Sequence, residues 1–402
     1  MNFSLTNLLL ILLIAWFAGY FVARLGYPPV LGELAAGMIF GPPLLNLIHP
    51  DDGTLVLGKL GVLLMMLFIG MSIKLEDLVR SLRTAIAAAL GGFLLPFLLG
   101  YLALVGLGYS SSVGLIVGCT ITLTALAVVP RMVMDLGLME RRVGQTLIAI
   151  SLLSVVMTLT GFALVKNIAE MGHVDLPGMA LVLGKITLFL LFAVFAGLKL
   201  FPLLRPLMLR LKMTTRTAAF AAFILLGLAF AALAEAAGLV FILGAFLAGL
   251  FLDPNMIAPG MYPEIMAVKR DVALGFLAPV FFVSAGFAVS FGIFSSNVML
   301  LVAILAAALL GKILGGTLAY LLTRRSWREG LVVGLGMNGR GGVDIVTGGI
   351  ALAAGLITSE IFTALIFTVF LATLSAPILL KLGAAWLEKR NELFVVESTP
   401  AG

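Results

Sequence analysis

The stretch GMNGRGGVDIVTGG, Gly336–Gly349, interrupts an apolar run that covers residues 330–352. That run is long enough to cross a bilayer as one helix. Its centre, however, carries an arginine and an aspartate among glycines. Each interior glycine costs a helix about 1 kcal/mol relative to alanine. A charged side chain at mid-membrane depth costs about 2.5–3.5 kcal/mol on insertion scales. The segment therefore reads as a spanning helix broken at its midpoint. Its freed backbone groups must be buried in protein or line a cavity. A second run, 112–134, is interrupted in the same way by TITLTALAVVP, Thr120–Pro130. Matching interruptions in two halves of a chain point to inverted repeats whose broken helices meet near the bilayer midplane.

Composition agrees with a membrane chain. The 402 residues are 62% hydrophobic and 11% charged, which would expose apolar surface far beyond what a protein in water tolerates. The 45 glycines suit closely packed membrane helices. A single cysteine, Cys119, rules out an internal disulfide framework. The net charge of +6 is no nucleic-acid signal, because the basic residues lie between apolar spans. The first apolar run, from Asn2 to Ala23, lacks a basic leader and is long enough to span, so it reads as a helix rather than a signal peptide.

Working outward, apolar runs of spanning length number about thirteen. Several of these runs are punctuated by Gly or Pro, among them those near 29–48 and 239–253. Connections after odd-numbered spans carry Arg24; Lys74, Arg80 and Arg83; Arg141 and Arg142; and Lys199, Arg205, Arg210, Lys212 and Arg216. Further along come Lys269 and Arg270, then Arg324, Arg325 and Arg328, then Lys389 and Arg390. The other side offers little beyond Lys166. The positive-inside rule then places the amino terminus outside and the carboxyl terminus in the cytoplasm. The expected fold is all-α, a polytopic membrane domain over 1–390 with repeats at 28–203 and 216–384. A short tail, 391–402, follows.

Six stretches resemble the monovalent cation:proton antiporter-2 family. They are GYPPVLGELAAGMIFGPPLL (Gly26–Leu45), GKLGVLLMMLFIGMSIKLEDL (Gly58–Leu78), TALAVVPRMVMDLGLM (Thr124–Met139), LAEAAGLVFILGAFLAGLFL (Leu233–Leu252), APVFFVSAGFAVSF (Ala278–Phe291) and GLGMNGRGGVDIVTGGIALAAGLIT (Gly334–Thr358). They occur in family order over nearly the whole chain. The resemblance implies thirteen helices, a homodimer, and a mobile core that carries a monovalent cation and a proton by an elevator-like movement. It also implies an acidic pair ten residues after Gly144. Here that place reads Ser154-Val155, within GQTLIAISLLSVVMTLTGFAL, Gly144–Leu164, which holds no ionisable side chain.

The remaining intramembrane polar groups become the candidates. Lys312 falls mid-span, where the resemblance implies a partner for the missing aspartate. A desolvated lysine without a counter-ion can give up its proton, so Lys312 is a candidate titrating group. Otherwise it pairs with Asp344, Glu33 or Glu235. Arg340 holds the broken-helix ends, either setting the electrostatics of an ion cavity or capping orphan carbonyls. Asp344, four residues on, either pairs with Arg340 or binds the transported ion. Thr122, Thr124, Ser151 and Ser154 offer hydroxyl oxygens that could coordinate a monovalent cation beside broken-helix carbonyls. Such hydroxyls also bond their own helix or a neighbour. Glu235 is expected at an outer mouth, Lys59 and Lys185 at span ends with their ammonium groups reaching for water. His49 and His173 are expected in outer connections.

Three functional readings stay open: a cation/proton exchanger whose titrating group has moved to Lys312 or Asp344; a carrier on the same scaffold with altered substrate or coupling, such as an anion; and a non-transporting sensor or subunit. No nucleophile–base or metal constellation appears, so neither an enzyme nor a cofactor is expected.

Overall fold

Helix starts follow caps written in the sequence. Ser4 Oγ accepts from the Asn7 amide and opens α1 (Leu5–Arg24). Pro29 opens α2 (Pro29–Phe40), where a missing N–H goes unneeded. Asp51 and Thr54 form a reciprocal capping box before α3 (Asp52–Met71). Then come α4 (Leu75–Gly106) and α5 (Ser111–Thr120), the latter capped by Ser110. The first half closes with α6 (Val128–Asp135), α7 (Arg142–Met171) and α8 (Leu176–Phe195), which widens into a π turn at Ala196–Leu200.

The second half begins with α9 (Arg216–Ala236) and α10 (Phe241–Phe251). Next, α11 (Met261–Val272) runs through a π turn, Ala273–Leu277, into α12 (Ala278–Gly286). Pro279 follows that turn, and a residue lacking an N–H is accommodated where the helical ladder widens. The short α13 (Ile293–Ser296), α14 (Val298–Leu321), α15 (Trp327–Gly336), α16 (Gly342–Ala353) and α17 (Ser359–Glu388) complete the chain. This computed structural model describes residues 4–171, 176–201, 216–252, 261–289 and 291–395. His173, Arg205, Arg210, Lys212 and residues 396–402 lie outside them.

Among the described residues eight helices are long and apolar enough to cross a membrane: α1, α3, α4, α7, α8, α9, α14 and α17. The shorter α2 and α10, the α11–α12 rod and the two broken pairs supply the other crossings, in agreement with about thirteen spans. Several boundaries differ from the sequence reading. Arg80 and Arg83 lie on the early turns of α4, Lys269 and Arg270 on α11 and Arg328 on α15 rather than in connections, because helix continues beyond the apolar part of each span.

Large apolar side chains such as Trp16, Phe17, Leu188 and Leu191 are exposed, while a set of polar side chains is inside. Thr122, Thr124, Ser151, Ser154, Lys312, Asn338, Arg340 and Asp344 are all buried. A hydrocarbon solvent produces this distribution, since polar groups find partners only within the bundle.

Both predicted breaks are present. Helix stops at Thr120 and resumes at Val128; it stops at Gly336 and resumes at Gly342. The two breaks touch. Ala125 N donates to the Gly339 carbonyl at 2.8 Å, and Thr124 Oγ1 donates to the Met337 carbonyl at 3.3 Å. Backbone groups freed by one interruption are thus satisfied by the other.

Candidate functional site

Two glycines bring the key cation to the crossing. On α14, a Cβ at Gly315 would stand 2.2 Å from the Gly91 carbonyl oxygen of α4. One at Gly311 would stand 2.5 Å from Pro96 Cα. No side chain fits either place, so α14 and α4 approach backbone to backbone. Lys312, the neighbour of Gly311, is fully buried by this packing. Its ammonium donates to the Thr122 carbonyl and to Thr124 Oγ1 at 2.5 Å. The Thr122 carbonyl is free to accept because α5 has already ended.

The expected pairing of Lys312 with an acid is therefore corrected. Among the described residues, Asp344 pairs with Arg340, Glu33 faces Arg131, and Glu235 is exposed. Crossover oxygens hold Lys312 in place of a carboxylate.

Arg340 and Asp344 form a local unit at the second break. Arg340 Nη1 lies 3.6 Å from Asp344 Oδ1, and both side chains are buried. The resumption of helix at Gly342 sets this four-residue approach. Asp344 Oδ2 also accepts from the Gly341 amide at 3.1 Å, a capping contact at a positive helix end. Arg340 Nη2 donates to the Ala308 carbonyl on α14 at 3.4 Å. It therefore ties the break to α14 rather than capping the carbonyls of its own break. Thr373 on α17 bonds both the amide and the carbonyl of Arg340, at 3.2 and 3.1 Å.

The hydroxyl candidates divide. Thr124 meets Lys312 through its hydroxyl, whereas Thr122 meets it only through its carbonyl, its own hydroxyl donating to the Cys119 carbonyl at 2.7 Å. Ser151 Oγ donates to the Ile148 carbonyl of its own helix at 2.7 Å, and Ser154 is buried on the same helix. Val155 is fully buried. Thr158, a residue the sequence reading passed over, joins α7 to the crossover through Thr122 Oγ1 at 3.0 Å. Its position four residues after Ser154, on the same helix face, was the signal available for it. Thr373 had no comparable signal, since α17 meets the break only in the folded chain.

A second buried cluster links α6 to α2. Arg131 Nε donates to Asp135 Oδ2 at 2.9 Å, and Arg131 Nη2 stands 4.0 Å from Glu33 Oε1. Asp135 is the last residue of α6, half-buried beside Arg131. His49 and Lys59 are exposed, as is Lys185.

The chemistry available at the crossing is that of a small cation seat. A carbonyl and a hydroxyl point at one positive centre, with a buried ion pair beside it. The sum of Lys312, Arg340 and Asp344 is one positive charge when Lys312 is protonated.

Comparisons with known proteins agree with this architecture. Residues 9–385 match the family model described as "Sodium/hydrogen exchanger, transmembrane". The chain is 30% identical over 375 residues to the probable Na(+)/H(+) antiporter GerT of Bacillus cereus, covering 93% of this chain and 98% of that one. It is 28% identical to the Na(+)/H(+)-K(+) antiporter GerN of the same organism, covering 92% and 94%. In fold it is similar to the sodium proton antiporter MjNhaP1 from Methanocaldococcus jannaschii at pH 8, with a TM-score of 0.67 and 20% identity over 97% of this chain and 98% of that one. With crossed broken helices, a buried cation at their meeting point and a match along almost its whole length, this multi-pass membrane chain belongs to the transmembrane sodium/hydrogen exchanger family.

Proposed function

We propose that the chain is a secondary transporter exchanging a monovalent cation, sodium or potassium, for a proton, and that Lys312 carries the proton. The observation that supports this is the seat of its ammonium on Thr122 O and Thr124 Oγ1. Those oxygens suit a dehydrated monovalent cation as well as they suit an ammonium. A proton on Lys312 and a metal cation on the oxygens would then compete for one place. Such competition enforces exchange without the missing carboxylate, because only one positive charge is held at a time. The site keeps the same net charge in both states, so exchange is electroneutral.

Asp344, Arg340 and the hydroxyls of Ser151 and Ser154 complete the proposed site. Asp344 would remain the counter-charge to Arg340 and limit the cost of burying it. Repeats at 28–203 and 216–384 would place the two breaks in opposite senses. Alternating access would arise from an elevator-like shift of the crossing against α2, α3, α10 and α12 in a homodimer. The orientation would be that set by the basic connections, in a cell inner membrane with the carboxyl terminus in the cytoplasm.

The test is purified protein in liposomes with a pH-sensitive dye, challenged with sodium, potassium and lithium. Cation-driven proton movement is expected, with apparent cation affinity weakening about tenfold per pH unit of acidification, as for competition with one proton. Lys312→Arg keeps a positive charge that does not leave at working pH, so it should abolish exchange in a folded protein. Exchange that survives both Lys312→Arg and Lys312→Ala refutes the assignment.

A further inference from the structure

Close backbone contacts sort the helices into two units. A Cβ at Gly37 of α2 would stand 1.9 Å from the Val283 carbonyl oxygen of α12. One at Gly61 of α3 would stand 2.4 Å from the Leu277 carbonyl oxygen of the π turn that leads into α12. Neither place admits a side chain, so α2, α3 and α12 pack as one body. A Cβ at Gly118 of α5 would stand 2.6 Å from the Phe97 carbonyl oxygen of α4, and one at Gly334 of α15 2.6 Å from the Ile313 carbonyl oxygen of α14. With the α4–α14 contact at Gly91 and Gly315, these helices and the crossing form the other body.

Two polar contacts cross the seam between these bodies. Glu33 of α2 faces Arg131 of α6, both buried, with Oε1 and Nη2 4.0 Å apart. Lys381 of α17 sets its ammonium over the ring of Tyr27, two residues before α2, at 4.2 Å from the ring centre. Both contacts lie at one end of the bundle, where α2 begins, α6 ends and the segment after α17 docks onto Arg141 and Arg142. A cavity of about 200 Å³ beside the crossing lies toward the other end. Its lining includes the exposed Lys59, in the first half of α3, and Val289, just past the end of α12.

We infer that Glu33 and Arg131, together with Lys381 and Tyr27, latch the seam at the end away from the cavity and so hold the conformation in which the cavity side is open. The inference rests on the alternating-access reading above and adds which residues set the balance between its two states. The latch is built to part. Arg131 Nε donates to Asp135 of its own helix at 2.9 Å, so Arg131 takes a counter-charge with it when α6 moves. Glu33 has no such companion on α2, and among the described residues its Oε2 and the Arg131 Nη1 have no hydrogen-bond partner. A buried carboxylate is penalised when its cation leaves, so Glu33 biases the equilibrium toward the latched state. The ammonium over Tyr27 adds a second bias of the same sign.

Maleimide labelling of two single-cysteine reporters in the purified full-length chain, each made on a Cys119→Ala background, tests the latch without requiring proton movement. Val30→Cys, a fully buried position one turn before Glu33 on α2, reports opening at the latch end. Lys59→Cys, at an exposed position, reports opening at the cavity. From a minor state of about 1%, Glu33→Gln and Lys381→Gln should each speed labelling at position 30 about tenfold, and together bring the two states to about equal population. In that double variant labelling at position 59 should fall by about half. Local loosening would speed position 30 without slowing position 59, and that result overturns the inference. So does unchanged labelling at position 30 in a folded Lys381→Gln protein, whose half-buried site keeps the test open if Glu33→Gln does not fold. Opposed shifts of the two reporters in a protein that moves no protons would refute the exchange reading and leave the latch standing. Intact exchange with reporters that do not shift refutes the latch alone.

Discussion

At the scale of the residue, a valine at position 155 leaves Lys312 with oxygens where a carboxylate partner is implied by family resemblance. The consequence can be measured with a double-mutant cycle. Val155→Asp places a carboxylate in a fully buried position, and its penalty depends on whether a cation reaches it. The expected outcome is that Val155→Asp is tolerated beside Lys312 and becomes markedly less stable when combined with Lys312→Gln. A thermal-unfolding cycle with no coupling between the two changes would place Val155 away from the lysine. The Arg340–Asp344 pair gives the complementary case. Arg340→Ala leaves a buried carboxylate uncompensated and should destabilise the fold by about 3–5 kcal/mol. Adding Asp344→Asn should restore most of that loss, which melting of the two proteins in the same detergent would read directly.

Elements decide where these residues stand. Gly91 and Gly315 let α4 and α14 touch through their backbones, and the position of Lys312 depends on that approach. Gly315→Val would force the helices apart at the Gly91 carbonyl. The expected result is a protein with lowered melting temperature and little or no cation-driven proton movement, although every proposed ligand is intact. Full exchange activity in that variant would show that Lys312 does not need its seat on the crossover. A different inter-element tie lies at the chain's end. The residues after α17 return to α7, where Arg142 N donates to the Phe394 carbonyl at 3.0 Å and Arg141 Nη1 to the Leu393 carbonyl at 2.9 Å. Arg142 also bonds the buried Glu329 of α15 at 2.8 Å, so residues 393–395 are docked onto α7 rather than hanging free.

For the whole molecule, orientation is the open quantity that cysteine chemistry can settle. Cys119 is buried, so single cysteines introduced elsewhere dominate labelling. With His49→Cys and Asn391→Cys, an impermeant maleimide added to intact cells should modify position 49 and spare position 391. The reverse pattern would invert the topology drawn from the basic connections.

Much of the fold was legible in the chain because its causes are local. Spanning length, glycine interruptions and helix caps are written within windows of about twenty residues. The same holds for the Arg340–Asp344 approach, which needs only four residues of helix. Lys312 and Thr122 are 190 residues apart in sequence, and their contact depends on glycine-mediated packing between α4 and α14 together with the meeting of two breaks. Thr158 and Thr373 entered the site for the same reason. The sequence by itself determined that the chain spans a membrane, that two of its helices are broken, and that no acid lies within Gly144–Leu164. Only tertiary structure decided what replaces that acid for Lys312. Helical periodicity orders side chains around one axis, whereas the oxygens that reach a buried ammonium are set by close contact between axes.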